Sequence, residues 1–102
     1  MTMLLIMDVY LVVEDIEYTA ESEPKGIFTT KKKAIDKIIE LHKAEFDQSD
    51  PLELIKCEES WTHRKYTDVS EVWSQREEML RDDLTTEDCW ASYRIITMKL
   101  DL

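Results

Sequence analysis

Glycine is almost missing from this chain: Gly26 is the single one in 102 residues. That excludes the glycine-rich loops that cradle phosphates, which need several residues free of a side chain. Only two prolines occur, Pro24 and Pro51, and no long flexible or extended linker is encoded. The two cysteines, Cys57 and Cys89, stand 32 positions apart without CxxC spacing. They are expected to be buried or idle thiols, since a disulfide needs an oxidising compartment. No stretch approaches the roughly 20 apolar residues of a membrane span. Met3-Leu4-Leu5-Ile6-Met7 offers five apolar residues, lacks a basic flank and runs into Asp8, unlike a signal peptide. The expected location is therefore cytoplasmic, without membrane contact. Met7 reads either as a start codon with Met1–Ile6 as an upstream extension, or Leu4, Leu5 and Ile6 lengthen the first strand.

Recognisable catalytic patterns are equally scarce. Cys57 and His63 are six apart, which matches no zinc-finger or metzincin spacing. His42 falls on an apolar helical stripe and reads as a partly buried, satisfied histidine rather than a ligand. Neither cysteine sits in an activating motif, and the serines lie in polar loops or at caps. Adjacent carboxylates abound (Glu58-Glu59, Glu77-Glu78, Asp82-Asp83), yet neighbours on a helix point about 100° apart and need not share a site. The expectation is a protein that is not an enzyme and uses no metal and no cofactor.

What the chain has in excess is acid. There are 23 Asp and Glu against 13 Lys and Arg, a net charge of −10. Residues 1–23 hold six acids and no base, 45–59 six acids and one base, and 68–88 eight acids and two bases. Residues 25–43 reverse the sign, with six lysines against two acids. Such a surface disfavours nucleic acid and anionic membrane and favours a basic partner. At 43% hydrophobic, with three Trp, four Tyr and two Phe, the chain can still bury a core; it reads as one compact domain over residues 1–102.

The apolar pattern places the elements. Residues 4–17 read as a strand, nearly continuously apolar through Val9–Val13. Residues 18–25 form a polar connection, and Gly26-Ile27-Phe28-Thr29 a second strand in a loose hairpin. A helix follows, capped by Thr29 or Thr30 and ending near Phe46, with Ala34, Ile35, Ile38 and Ile39 on one face. Asp50-Pro51-Leu52-Glu53 matches a helix start over 51–60, although the same segment also alternates as a strand. Asp68 or Ser70 can cap a third helix to about Leu84, broken at Thr85–Asp88. Trp90–Leu102 is the third strand, whose apolar face is Arg94, Ile96, Met98, Leu100 and Leu102. Together these give an α+β fold: a small three-stranded, mainly antiparallel sheet packed on one face by two or three helices.

Val9-Tyr10-Leu11-Val12-Val13, then Gly26-Ile27-Phe28-Thr29-Thr30-Lys31-Lys32-Lys33-Ala34, and the closing strand from Tyr93-Arg94-Ile95-Ile96 resemble a group of small uncharacterised phage and bacterial proteins. Those proteins look like VYLV, a polar connection, GVFST, a helix opening with EKA, and a closing strand. The likeness covers residues 8–41 and 93–102. It departs at Lys31-Lys32-Lys33, which replaces a mixed-charge helix start, and at the longer segment 47–92. The resemblance implies a small βαβ-type fold and a phage or mobile-element setting, and no catalytic residue.

Two surfaces qualify as sites. Glu71, Glu77, Glu78, Asp82, Asp83, Glu87 and Asp88 along the third helix and its exit form the candidate partner-binding array, able to occupy the basic surface of a host protein by imitating nucleic-acid phosphates. Lys31, Lys32 and Lys33 form a secondary basic patch that opposes its own helix dipole. The expected function is an acidic phage or mobile-element accessory protein that inhibits a host nucleic-acid-handling or defence protein. The alternative is a homodimeric interaction or scaffold module, built on a strand edge or the Trp-bearing helix, whose acid serves solubility. Trp61 and Tyr66 are expected to pack on the sheet.

Overall fold

A computed structural model describes residues 6–101. Leu4, Leu5 and Leu102, expected in the terminal strands, lie outside the described residues, as do Met1–Met3. The elements run β1 (Ile6–Asp15), β2 (Ser22–Phe28), α1 (Lys31–Asp47), α2 (Pro51–Thr62), α3 (Val69–Glu87), β3 (Cys89–Trp90) and β4 (Tyr93–Asp101). All strand pairs are antiparallel, in the order β2-β1-β4-β3. The fold is α+β as expected, with four strands instead of three. The extra strand, β3, has two residues, too few to show alternation. It forms because Asp88 and Ala91 adopt positive φ, 60° and 50°, and fold the chain back onto β4.

Each helix begins where a short polar side chain can take an orphan backbone donor. Thr30 accepts from the Lys33 N–H, Asp50 from Leu52 and Asp68 from Ser70. Pro51 at the first turn of α2 has no N–H to leave unsatisfied, which resolves 51–62 as helix. α3 continues past Leu84 through Thr85 and Thr86, whose hydroxyls donate back to the carbonyls of Arg81 at 2.6 Å and Asp82 at 3.0 Å. β2 likewise starts earlier than its apolar residues suggest. It is an edge strand, so polar Ser22-Glu23-Pro24-Lys25 can join it, and Pro24 sits at a bulge where the register shifts opposite Val12 and Val13.

The core lies between one sheet face and two helices: Val12, Tyr93 and Ile95 below, Ala34, Ile35, Ile38 and Ile39 of α1 and Leu80 and Leu84 of α3 above. α2 packs on α3 rather than on the sheet. This corrects the expected face of the last strand. Val12 pairs with Ile95 and Glu14 with Tyr93, so β4 turns its odd-numbered side chains to the helices. Ile96, Met98 and Leu100 face the other way, with Met7, Val9, Leu11 and Val13 of β1 and Ile27 of β2. No described helix covers that face. Pairing register, which no strand shows alone, made the choice. The compact shape expected from composition is also corrected: the chain measures 64 × 28 × 19 Å, because β1 and β4 run on beyond the helices.

Candidate functional site

The seven acids of the third helix do not gather on one surface. At about 100° per residue, Glu71, Glu78 and Asp82 share an outward stripe about 40° wide. Glu77 and Asp83 stand roughly 120° away on opposite flanks. Glu87 occupies the last turn, and Asp88 is the C-cap with a left-handed backbone. Some are already engaged. Glu77 takes Arg81 at 3.2 Å, and Arg81 reaches across to Asp36 on α1 at 2.9 Å. Asp88 is paired with Lys31. Glu71 accepts from the Thr67 hydroxyl at 2.7 Å. Glu78, Asp82, Asp83 and Glu87 have no cationic partner among the described residues.

The lysine run divides in the same way. Lys31 donates to the Thr85 carbonyl at 2.9 Å while pairing with Asp88, so it closes the C-terminal end of α3 from the start of α1. Its compensating acid is the C-cap of α3, while Glu14 and Glu23 of the first hairpin hold Lys25. Lys32 and Lys33 are exposed and unpaired among the described residues. Both cysteines are free and exposed.

A cleft of about 440 Å³ opens where α2 leans on α3, lined by His42, Glu58, Trp61, Arg76, Met79 and Trp90. Glu58 is the buried charged residue of the described chain, and Arg76 meets it at 3.2 Å. His42 lies 6.1 Å from the Trp73 ring in a stacked arrangement and 6.4 Å edge-on to Trp90. Burial, then the charge of Arg76, holds its imidazole below the usual histidine range. The expected satisfied histidine is thus partly buried, but its Nε2 has no partner among the described residues. Trp61 does not pack on the sheet; it stands exposed at the cleft rim. Tyr66 is fixed instead by hydrogen bonds to Thr62 and Gln75. The Tyr93 hydroxyl donates to Glu45 at 2.8 Å, and desolvation followed by that bond raises its pKa.

The feature that no single segment announced is the sheet face turned away from the helices, where Val9 and Val13 are buried but the flanking apolar side chains are exposed. Ile27 is 66% exposed, Met98 45% and Leu100 46%. At its far end Arg94 makes a bidentate pair with Asp15 at 2.7 and 2.9 Å, which leaves the face without net charge there. Those bonds hold the Asp15 carboxyl below its ordinary range and raise Arg94. Among the described residues no group of three or more His, Cys, Asp or Glu could hold a metal ion, and no described helix is long and apolar enough to cross a membrane. No family model matches this chain, and neither does any curated protein or solved structure.

Proposed function

We propose that this chain is a small non-enzymatic accessory protein that binds a basic surface of a host nucleic-acid-handling or defence protein and blocks it. The observation that carries the reading is the outward stripe of α3. Glu78 and Asp82, with Glu71 about two turns before Glu78, are carboxylates without a cationic partner among the described residues. Like charges held together on a helix cost stability, and a basic partner would turn that cost into attraction. The phage or mobile-element setting rests on the resemblance carried by Val9–Val13, Gly26–Ala34 and the closing strand. Glu71 to Asp82 spans about 16 Å of helix axis, over which a duplex presents about ten charges. Three carboxylates are too few to copy a duplex phosphate by phosphate, so the mode proposed is charge-complementary docking, with imitation limited to the phosphates a partner's Arg and Lys would touch.

The test is capture of partners from bacterial lysate on immobilised protein at low and at high salt. Screening shortens from about 30 Å at 0.01 M to about 3 Å at 1 M, so specific partners should elute with salt. The triple reversal Glu71→Lys/Glu78→Lys/Asp82→Lys should lose them, while reversal of Glu17 and Glu21 in the β1–β2 connection should not. Retention by the triple variant refutes the reading. The homodimeric scaffold alternative draws on a different observation, the open edge of β4.

A further inference from the structure

β2 follows β1 only as far as Tyr10, and β3 covers β4 only at Tyr93 and Arg94. Ile6–Val9 and Met98–Asp101 therefore stand as a two-stranded ribbon, with no third strand on either side among the described residues. Such ribbons are marginal in water by themselves. The ribbon's backbone says which groups are unspent. Ile95 donates its N–H to the Asp88 carbonyl, on the β3 side, at 2.8 Å. Backbone groups alternate between the two edges of an antiparallel strand. Thr97, Lys99 and Asp101 thus direct N–H and C=O away from β1, into the open edge.

We propose that a second copy of this chain closes that edge. The two β4 strands pair antiparallel about a two-fold axis through Leu100, with Lys99 of each copy opposite Asp101 of the other. Charge selects both occupant and register. Two chains of net charge −10 meet only where local charge cancels, and this edge carries one lysine and one aspartate. In this register each ammonium faces a carboxylate, beside the Asp8 carboxylate that Lys99 already touches at 2.8 Å. The neighbouring register, centred on Lys99, sets ammonium against ammonium. Shifts by an odd number of positions in the pairing turn outward groups against inward ones. The open edge of β1 offers Asp8 and no base, so two copies there only repel. Leu100 meets its counterpart on the uncovered face, with Ile96 and Met98 alongside, and the two apolar faces become one continuous surface on the same side of a joined sheet. The arrangement is isologous, as a two-fold dimer requires. It does not depend on the acidic-surface reading.

Sedimentation velocity across a hundredfold dilution series tests it. The expected mass is twice 12.1 kDa at the concentrated end, falling towards 12.1 kDa on dilution. Lys99→Pro removes one outward N–H and leaves the ladder to β1 intact; it should give a folded monomer by circular dichroism. Lys99→Arg keeps both that N–H and the positive charge opposite Asp101 and should still dimerise. In a Cys57→Ser/Cys89→Ser background, Leu100→Cys should oxidise to a covalent dimer, because directly opposite non-hydrogen-bonded positions lie about 4.5–5.5 Å apart at Cβ. Ile27→Cys, exposed on the same face but far from the axis, should not. A monomer at every concentration, a dimeric Lys99→Pro, a monomeric Lys99→Arg, or Ile27→Cys linking as fast as Leu100→Cys overturns the proposal. If Lys99→Pro does not fold, the two cysteine variants decide. A monomer that still captures partners in a salt-dependent way sinks the dimer alone.

Discussion

Replacing Arg76 by methionine isolates the ion pair that this fold has taken furthest from water. The Glu58 side chain is 9% exposed and that of Arg76 24%, with Nη2 to Oε2 at 3.2 Å. Arg76 also lies 5.4 Å from the centre of the Phe46 ring. The pair joins α2 to α3, and α2 contributes no other buried side chain. Removing one partner of a buried pair costs about 3–5 kcal/mol, because the other charge stays desolvated. A quarter of Arg76 is hydrated, so screening brings the expected loss down to about 2–3 kcal/mol. At roughly 4–8 °C per kcal/mol for a domain near this size, melting should fall by about 10–20 °C. Glu58→Leu with Arg76→Met removes both charges, fills the space with apolar side chains, and should return to within about 1 kcal/mol of the parent. The assay is a double-mutant cycle by urea unfolding, with hydrogen exchange at the amides of 54–62 to show α2 loosening before α1. An Arg76→Met variant within about 0.5 kcal/mol of the parent, or a double variant no better than the single, refutes the reasoning.

Two further outcomes follow from the site geometry. Lys31→Ala should cost about 1 kcal/mol in thermal unfolding because it releases Thr85 and Asp88 at the end of α3. Lys32→Ala and Lys33→Ala should be neutral, or slightly stabilising as the helix dipole is relieved; equal losses at all three would show that Lys31 is no clamp. His42 is held below its ordinary pKa chiefly by burial. The unfolded chain therefore binds its proton more readily, and His42 contributes stability at pH above the unfolded histidine pKa that is lost as pH falls through the folded one. Melting temperature should decline as pH falls below about 6.5, and His42→Phe should flatten that slope. An unchanged slope refutes the assignment.

Local signals were legible wherever one residue type did one local task. Thr30, Asp50 and Asp68 cap the three helices as their positions suggest, because an N-cap needs only a short acceptor and the next few backbone donors. The apolar stripe Ala34–Ile39 likewise names its own buried face. Legibility failed where the answer belonged to a partner strand. Cys89-Trp90 is a strand only because Asp88 and Ala91 turn it onto β4, and Ser22–Lys25 only because an edge strand demands no apolar face. Charge spacing along the third helix counted seven acids but not their directions or their neighbours Arg81 and Lys31.

The amino-acid order by itself determined the class of this protein: α+β, acid-rich, with a lysine-rich helix start and without a glycine loop for phosphate. Those are properties of composition and of periods within single elements. Tertiary structure decided which face of β4 is buried, that Glu58 is enclosed beside Arg76, and that Thr97, Lys99 and Asp101 turn backbone groups to an edge left unpaired among the described residues. The physical reason is common to all three. Side chains on a strand alternate with a period of two, so one step of register exchanges core for solvent. Burial of a charge or exposure of an edge is likewise fixed by what packs alongside, which no local pattern encodes.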